Sequence, residues 1–155
     1  MKKIKKENLV FMCKEIYMSM VGYKTKLVFS SLEDKQKMLD LLVAQRLAWN
    51  ECSKIGFRLE KNSIVELHGK FYKEFRKNHP EIPSQVVISA GQSVLGNYRA
   101  IKSNKFILDT PCEKKALSMR LDNNSFSCKR NNEDIKFSII SLNKRVKCKP
   151  YIYPK

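Results

Sequence analysis

The sequence predicts an α+β fold in which a three-helix block is inserted between a first strand and the antiparallel sheet to which that strand belongs. Three observations predict it. A stretch rich in β-branched and aromatic residues ends at Phe29, and three segments with apolar residues at three- and four-residue steps fill 31–106. From Leu117 onward the pattern changes to alternation of apolar and polar residues. No internal repeat or low-complexity segment interrupts this order.

The first strand is Tyr23-Lys24-Thr25-Lys26-Leu27-Val28-Phe29, whose alternation leaves Lys24 and Lys26 on a basic face. Ser30-Ser31-Leu32-Glu33-Asp34 then opens a helix with acidic side chains in its first turn. This helix is expected to reach about Ile55 and to end at Gly56 as its C-cap. Met38, Leu41, Leu42, Ala48, Trp49, Cys52 and Ile55 form its core side, and Arg46, Asn50 and Lys54 step along the other. Trp49 reads as a core anchor and not a base-stacking platform, because it continues the apolar stripe through Leu42.

A second helix opens at Asn62 or Ser63, where Ser63-Ile64-Val65-Glu66 has the capping-box pattern, and runs to about Lys77. Its buried stripe is Ile64, Leu67, Phe71 and Phe75. Lys70, Lys73 and Lys77 line the far side, either as a solvated face or as phosphate contacts. His68 and His79 have no second ligand nearby, which argues against metal binding.

The third helix is the most informative. Pro83 cannot continue a preceding helix and Ser84 is a good N-cap, so the helix is expected from Ser84 to about Lys105. Val87, Gly91, Val94, Tyr98 and Ile101 form one apolar stripe, and the opposite stripe is Gln85, Ser89, Gln92, Gly96, Arg99 and Ser103. A merely solvated face is usually dressed with Lys and Glu, whereas small residues with amides and a guanidinium let a polyanion backbone approach closely. Packing of that stripe against another helix would fit the same residues.

Ser103 to Glu113, with Asp109-Thr110-Pro111, reads as a linker. Leu117, Met119 and Leu121 then alternate with Ser118, Arg120 and Asp122, and Asn123-Asn124 signals a tight turn. Phe126 and Cys128 alternate on the return, a second turn falls at Asn131-Asn132-Glu133-Asp134, and Ile135 to Ile140 and Arg145 to Lys149 are further strands. The result is a meander whose non-core face carries Arg120, Lys129 and Lys136.

Thirty-one Lys and Arg against fifteen Asp and Glu give a net charge of +16 and a pI near 9.7, so self-repulsion must be offset by an anionic partner. Nucleic acid is favoured over membrane, because no stretch approaches about 18 continuous apolar residues. Met1 to Glu7 followed by Leu9 to Cys13 imitates a signal peptide, but Lys14 and Glu15 break the apolar run after five residues. Residues 1–22 therefore read as a basic arm. Cys13, Cys52, Cys112, Cys128 and Cys148 are odd in number, with no C-x-x-C pair, so neither a disulfide framework nor a zinc ribbon can be drawn. Reduced thiols and a cytoplasmic location are expected, with Cys52 acting as a small hydrophobe.

Taken in order, Lys26-Leu27-Val28-Phe29, Ala48-Trp49-Asn50-Glu51, Ile82-Pro83-Ser84-Gln85 and Lys115-Ala116-Leu117-Ser118-Met119-Arg120-Leu121-Asp122 with its meander resemble TnpB, the transposon-encoded RNA-guided DNA nucleases related to type V CRISPR effectors. The resemblance covers roughly residues 20 to 150 and leaves the N-terminal arm outside. It implies a wedge-type antiparallel sheet or partial barrel, formed by 23–30 and 107–155, with a helical recognition insertion at 31–106. It further implies guide RNA and target-adjacent duplex DNA as partners. By that likeness Asn50 and Gln85 would face the motif-bearing DNA, while Arg99, Lys102, Arg120 and the meander's Lys129 and Lys136 would meet phosphates; Lys24, Lys26, Arg46, Lys54, Lys70, Lys73, Lys77, Ser84, Gln92 and Lys105 are the further candidate nucleic-acid contacts.

The family continues into a RuvC-like nuclease domain, whose first acidic motif reads Asp-x-Gly, and a four-cysteine zinc ribbon. This sequence has neither motif, and Asp109, Asp122 and Asp134 stand in no such context. Two-metal cleavage needs several converging carboxylates, so no catalytic residue, cofactor or metal is expected in this chain. The expected function is guide-RNA and target-adjacent DNA binding without cleavage, by an N-terminal piece, a degenerate remnant or half of a split effector. The alternatives are a non-catalytic subunit whose nuclease centre lies on a separate chain, and a generic basic RNA-binding protein.

Overall fold

A computed structural model of the chain describes residues 25–59, 63–131 and 134–151. The basic arm and Lys24 lie outside the described residues. The order of elements is β1 (Leu27–Phe29), α1 (Leu32–Phe57), α2 (Ile64–Asn78), α3 (Ser84–Ser103), β2 (Phe126–Asn131), β3 (Asp134–Ile139) and β4 (Val146–Pro150). The four strands make one open antiparallel sheet in the order β1-β4-β3-β2. The first strand thus closes against the last, and the three helices are an insertion between β1 and the rest of its sheet, as expected.

Alternation sets the two faces of the sheet. Phe137 opposes Cys148 and Ile139 opposes Val146, all buried, with Leu27 and Phe29 packed against them. The same core cluster includes Met38, Leu41 and Trp49 of α1, Leu67, Phe71 and Phe75 of α2, and Val87, Val94 and Tyr98 of α3. Among the described helices only α1 touches the strands, and it also packs on α2 and α3, so it ties the block to the sheet.

Helix α1 starts where the sequence places it, with the Ser31 hydroxyl accepting from Asp34 N–H at 3.1 Å. Its end differs. Gly56 is not a cap: the helix continues to Phe57, and Gly56 is buried where α3 crosses. A β-carbon there would lie 3.1 Å from Val94 Cγ1 and 3.3 Å from a Tyr98 ring carbon, so glycine eases a close approach that any side chain would crowd by a few tenths of an ångström. Trp49 is buried and its indole N–H donates to Ser93 Oγ at 3.1 Å, which makes it the core anchor its stripe foretold. Cys52 is fully buried on the same side, and burial pushes its thiol up to about 12.

Two further expectations are corrected at helix starts. Ser63 occupies the N-cap of α2 but its hydroxyl makes no cap hydrogen bond, and the side chain of Glu66, the other half of the expected box, pairs with Lys70 at 2.9 Å. Ile64 is 40% exposed at the mouth of a small gap between α2 and α3, outside the buried stripe it was assigned to. In α3 the N-cap is Pro83, whose carbonyl accepts from Val86 N–H at 2.9 Å, so Ser84 is the first helical residue, and the helix stops at Ser103.

The largest difference lies at Lys115 to Asp122, expected as a strand. It belongs to no sheet. Residues 112–122 form an extended strap laid across α1 and α3, with Met119 and Leu121 turned into the core. Alternation there reports an extended chain on an apolar surface, but helix side chains, not a neighbouring strand, satisfy several of its backbone groups. The turn at Asn123-Asn124 is present, although it joins the strap to β2 and not two strands. The Asp122 carboxylate accepts from Asn124 N–H at 3.1 Å and from Ser125 N–H at 2.9 Å.

Candidate nucleic-acid interface

The outer face of the sheet is built from the residues left over by the inward alternation. On β2 and β3, Lys129 stands directly opposite Lys136. On β4, Lys147 opposes Ser138, and the register that pairs Phe137 with Cys148 sets Lys149 beside Lys136. Lys26 extends β1 on the same face, its carbonyl accepting from Tyr151 N–H at 2.7 Å. All five lysines are exposed. Neighbouring strands lie about 4.8 Å apart, so Lys129, Lys136 and Lys149 form a row of ammonium groups across three strands.

One carboxylate sits in this row. Asp134 Oδ1 lies 3.0 Å from Lys149 Nζ and Asp134 Oδ2 lies 3.3 Å from Lys136 Nζ. The hydrogen bond from Lys149 is the chief reason its carboxyl titrates below the usual aspartate range, with Lys136 adding to it. At the turn end of the face, Arg145 is held flat by three hydrogen bonds of 3.0 to 3.1 Å, to Ser138 Oγ, Ser138 O and Asn124 O. Among the described residues this presents five lysines and a fixed guanidinium against a single acid.

The polar side shared by α1 and α3 has a different use. Asn50 donates its amide to Lys114 O at 3.3 Å and accepts from Lys114 N–H at 2.8 Å, so it grips one strap residue from both sides. Ser53 donates to Cys112 O at 2.7 Å, and the Tyr98 hydroxyl accepts from Cys112 N–H at 3.1 Å. Arg46 reaches Lys115 O at 3.4 Å, Ser89 donates to Arg120 O at 2.9 Å, and Gln85 donates to the Asp122 carboxylate. Burial pushes the Asp122 carboxyl upward, but hydrogen bonds from Ser125, Gln85 and Asn124 outweigh it and hold the group below its ordinary range.

These contacts give part of the expected site a use within the protein. Asn50, Gln85 and Arg46, expected to face nucleic acid, hold the strap, and Ser89 is buried beneath it. The strap covers the N-terminal half of the small-residue face of α3, while Gln92, Gly96, Arg99 and Ser103 in the other half remain exposed. Ser84 is exposed at the start of that helix. Lys54, Lys73, Lys77, Lys102 and Lys105 are exposed, and Lys70 is exposed but paired with Glu66. Arg120 is not on the non-core face of the meander: its side chain is exposed, but it sits on the strap, whose carbonyl is taken by Ser89.

Lys147, Lys149 and Arg145 were not singled out as site residues. The strict alternation Val146-Lys147-Cys148-Lys149 carries the signal for the two lysines, because their inward neighbours are both buried. Among the described residues no group of three His, Cys, Asp or Glu side chains is arranged to hold a metal ion. Among them, too, no helix is long and apolar enough to cross a membrane. Comparison with family models, with curated proteins and with solved structures finds no match.

Proposed function

We propose that this chain is a nucleic-acid-binding module, the wedge and recognition part of a TnpB-like RNA-guided DNA endonuclease, which holds guide RNA and target-adjacent duplex DNA without cutting. One observation carries the binding half of this reading. Lys129 faces Lys136 across a strand pair, and like charges placed directly opposite each other destabilise a sheet. A chain already at +16 keeps that repulsion because a polyanion relieves it. The family half is supported by topology: the helical block is inserted between β1 and the strand it pairs with, β4, which is the arrangement that the resemblance implies.

Binding without cleavage is supported by the commitments of the acids. Asp122 is engaged by Ser125 and Gln85, and Asp134 by Lys136 and Lys149. Any cutting centre would then lie outside these residues.

A second reading has an observation in its favour. With Asn50 and Gln85 occupied by the strap, two amides that would read base edges are withdrawn, and a backbone-binding RNA protein without sequence preference becomes the alternative. Salt titration of binding to a structured RNA tests what both readings share. With about eight phosphates neutralised, affinity falls by roughly three to five powers of ten between about 0.05 and 0.2 M salt, and a flat response contradicts both. Sequencing the RNA that co-purifies from its own cells separates them: enrichment of transposon-end transcripts supports the first, and a broad sample of cellular RNA supports the second.

A further inference from the structure

The cap of α3 is built against backbone preference. Phe106 N–H donates to Ile101 O at 3.1 Å and Lys105 N–H to Lys102 O at 3.1 Å, the paired bonds of a Schellman motif. The residue that must turn left-handed there is usually glycine. Here it is Lys105, at φ 57°, alone among the described non-glycine residues in having a positive φ.

The strained turn presents Phe106, 67% exposed, and Ile107, 93% exposed. Neither belongs to a fraying end, because Ile101 before them and Leu108 after them both pack against the core. Lys102 and Lys105 are exposed beside them, Arg99 is exposed one turn earlier, and no acidic residue occurs between Arg99 and Asp109.

We infer that this tip is a stacking site for an unpaired nucleotide of a single-stranded nucleic acid, with Phe106 offering its ring to a base and Lys102 and Lys105 meeting the adjoining phosphates. The inference rests on the nucleic-acid reading above and adds a second site, on a helix that does not contact the strands. An aromatic ring flanked by cations holds single strands without regard to sequence, since every base has a π-face. A lysine at the left-handed position adds a charge there that glycine would lack, which gives the strain a use. Two apolar side chains bury too little surface to anchor the protein on a membrane, whereas one ring suffices for one base.

The test uses the full chain, a labelled single-stranded DNA of mixed sequence and the duplex of the same sequence. Phe106→Ala is expected to weaken single-strand binding about tenfold and to leave duplex binding unchanged, while Phe106→Tyr retains both. In Phe106→Trp, the single strand quenches the new indole emission and the duplex does not; unaltered thermal unfolding of each variant shows that the fold is intact. If Phe106→Ala leaves single-strand binding untouched, or weakens both ligands equally, the inference fails and the nucleic-acid reading stands. If the wild-type chain binds neither DNA, that reading fails and takes the inference with it. Loss of binding to phosphatidylserine–phosphatidylcholine vesicles in Phe106→Ala, with single-strand binding unchanged, makes the tip a membrane contact and overturns the inference.

Discussion

The polar face of α1 and α3 and the outer face of the sheet both carry residues suited to a polyanion, yet one is turned inward and the other outward. On the helices, Asn50, Ser53, Ser89 and Gln85 have short or amide side chains that hydrogen-bond an extended backbone, and a stretch of this same chain supplies that backbone. On the sheet, the lysines have long donors that outnumber their acceptors, because Asp134 is the single acid there among the described residues. Hydrogen-bonding capacity alone does not mark an interface. Unbalanced charge held in fixed register is what the proposed interface rests on.

The widest separation between the two faces should come from removing charge. Lys129→Gln, Lys136→Gln and Lys149→Gln combined are expected to lower RNA affinity about a hundredfold near 0.15 M salt and to reduce the salt slope by roughly two to three. On the helical face, Asn50→Ala is expected to cost about 1–3 kcal/mol in urea unfolding by stranding the Lys114 backbone groups, with RNA affinity unchanged. The reverse pattern, affinity lost and stability kept, would return Asn50 to the interface.

Asp134→Asn sharpens the contrast in the other direction. It takes away the carboxylate that pairs with Lys136 and Lys149 and releases both, so RNA binding should tighten by roughly three- to tenfold in anisotropy titrations. Acidification should act in the same sense. The depressed titration of Asp134 keeps it ionised down to below the usual aspartate range, and protonation there raises the net positive charge of the face.

The smallest effect is expected at Gly96, exposed on α3, where an added β-carbon meets nothing within 4 Å. Gly96→Ala should raise stability by about 0.5–1 kcal/mol through helix propensity and leave RNA affinity alone. A fall in affinity would mean that the open half of the small-residue face is itself a docking surface.

Much of the fold was legible because burial is periodic. The stripes through Met38, Trp49 and Cys52 in α1 and through Val87, Val94 and Tyr98 in α3 are buried as read, and the inward Phe137, Ile139, Val146 and Cys148 follow strand alternation. The strap was not legible. Leu117, Met119 and Leu121 alternate just as a strand does, and periodicity says which side of an extended chain is buried without saying what pairs its backbone. The same blindness hid the intramolecular partners of Asn50 and Gln85, which are backbone and carboxylate groups 64 and 37 residues away. Gly56 misled for a related reason: a glycine near a helix end looks the same whether it caps the helix or admits a crossing neighbour such as Tyr98.

The most direct test of where the polyanion lies is lysine footprinting with an amine-reactive reagent, read by mass spectrometry with and without a hairpin RNA. Protection of Lys129, Lys136, Lys147 and Lys149, with Lys35 and Lys54 of α1 left reactive, is the outcome this account predicts. Equal protection of every lysine, or protection confined to Lys70, Lys73 and Lys77 of α2, would contradict it.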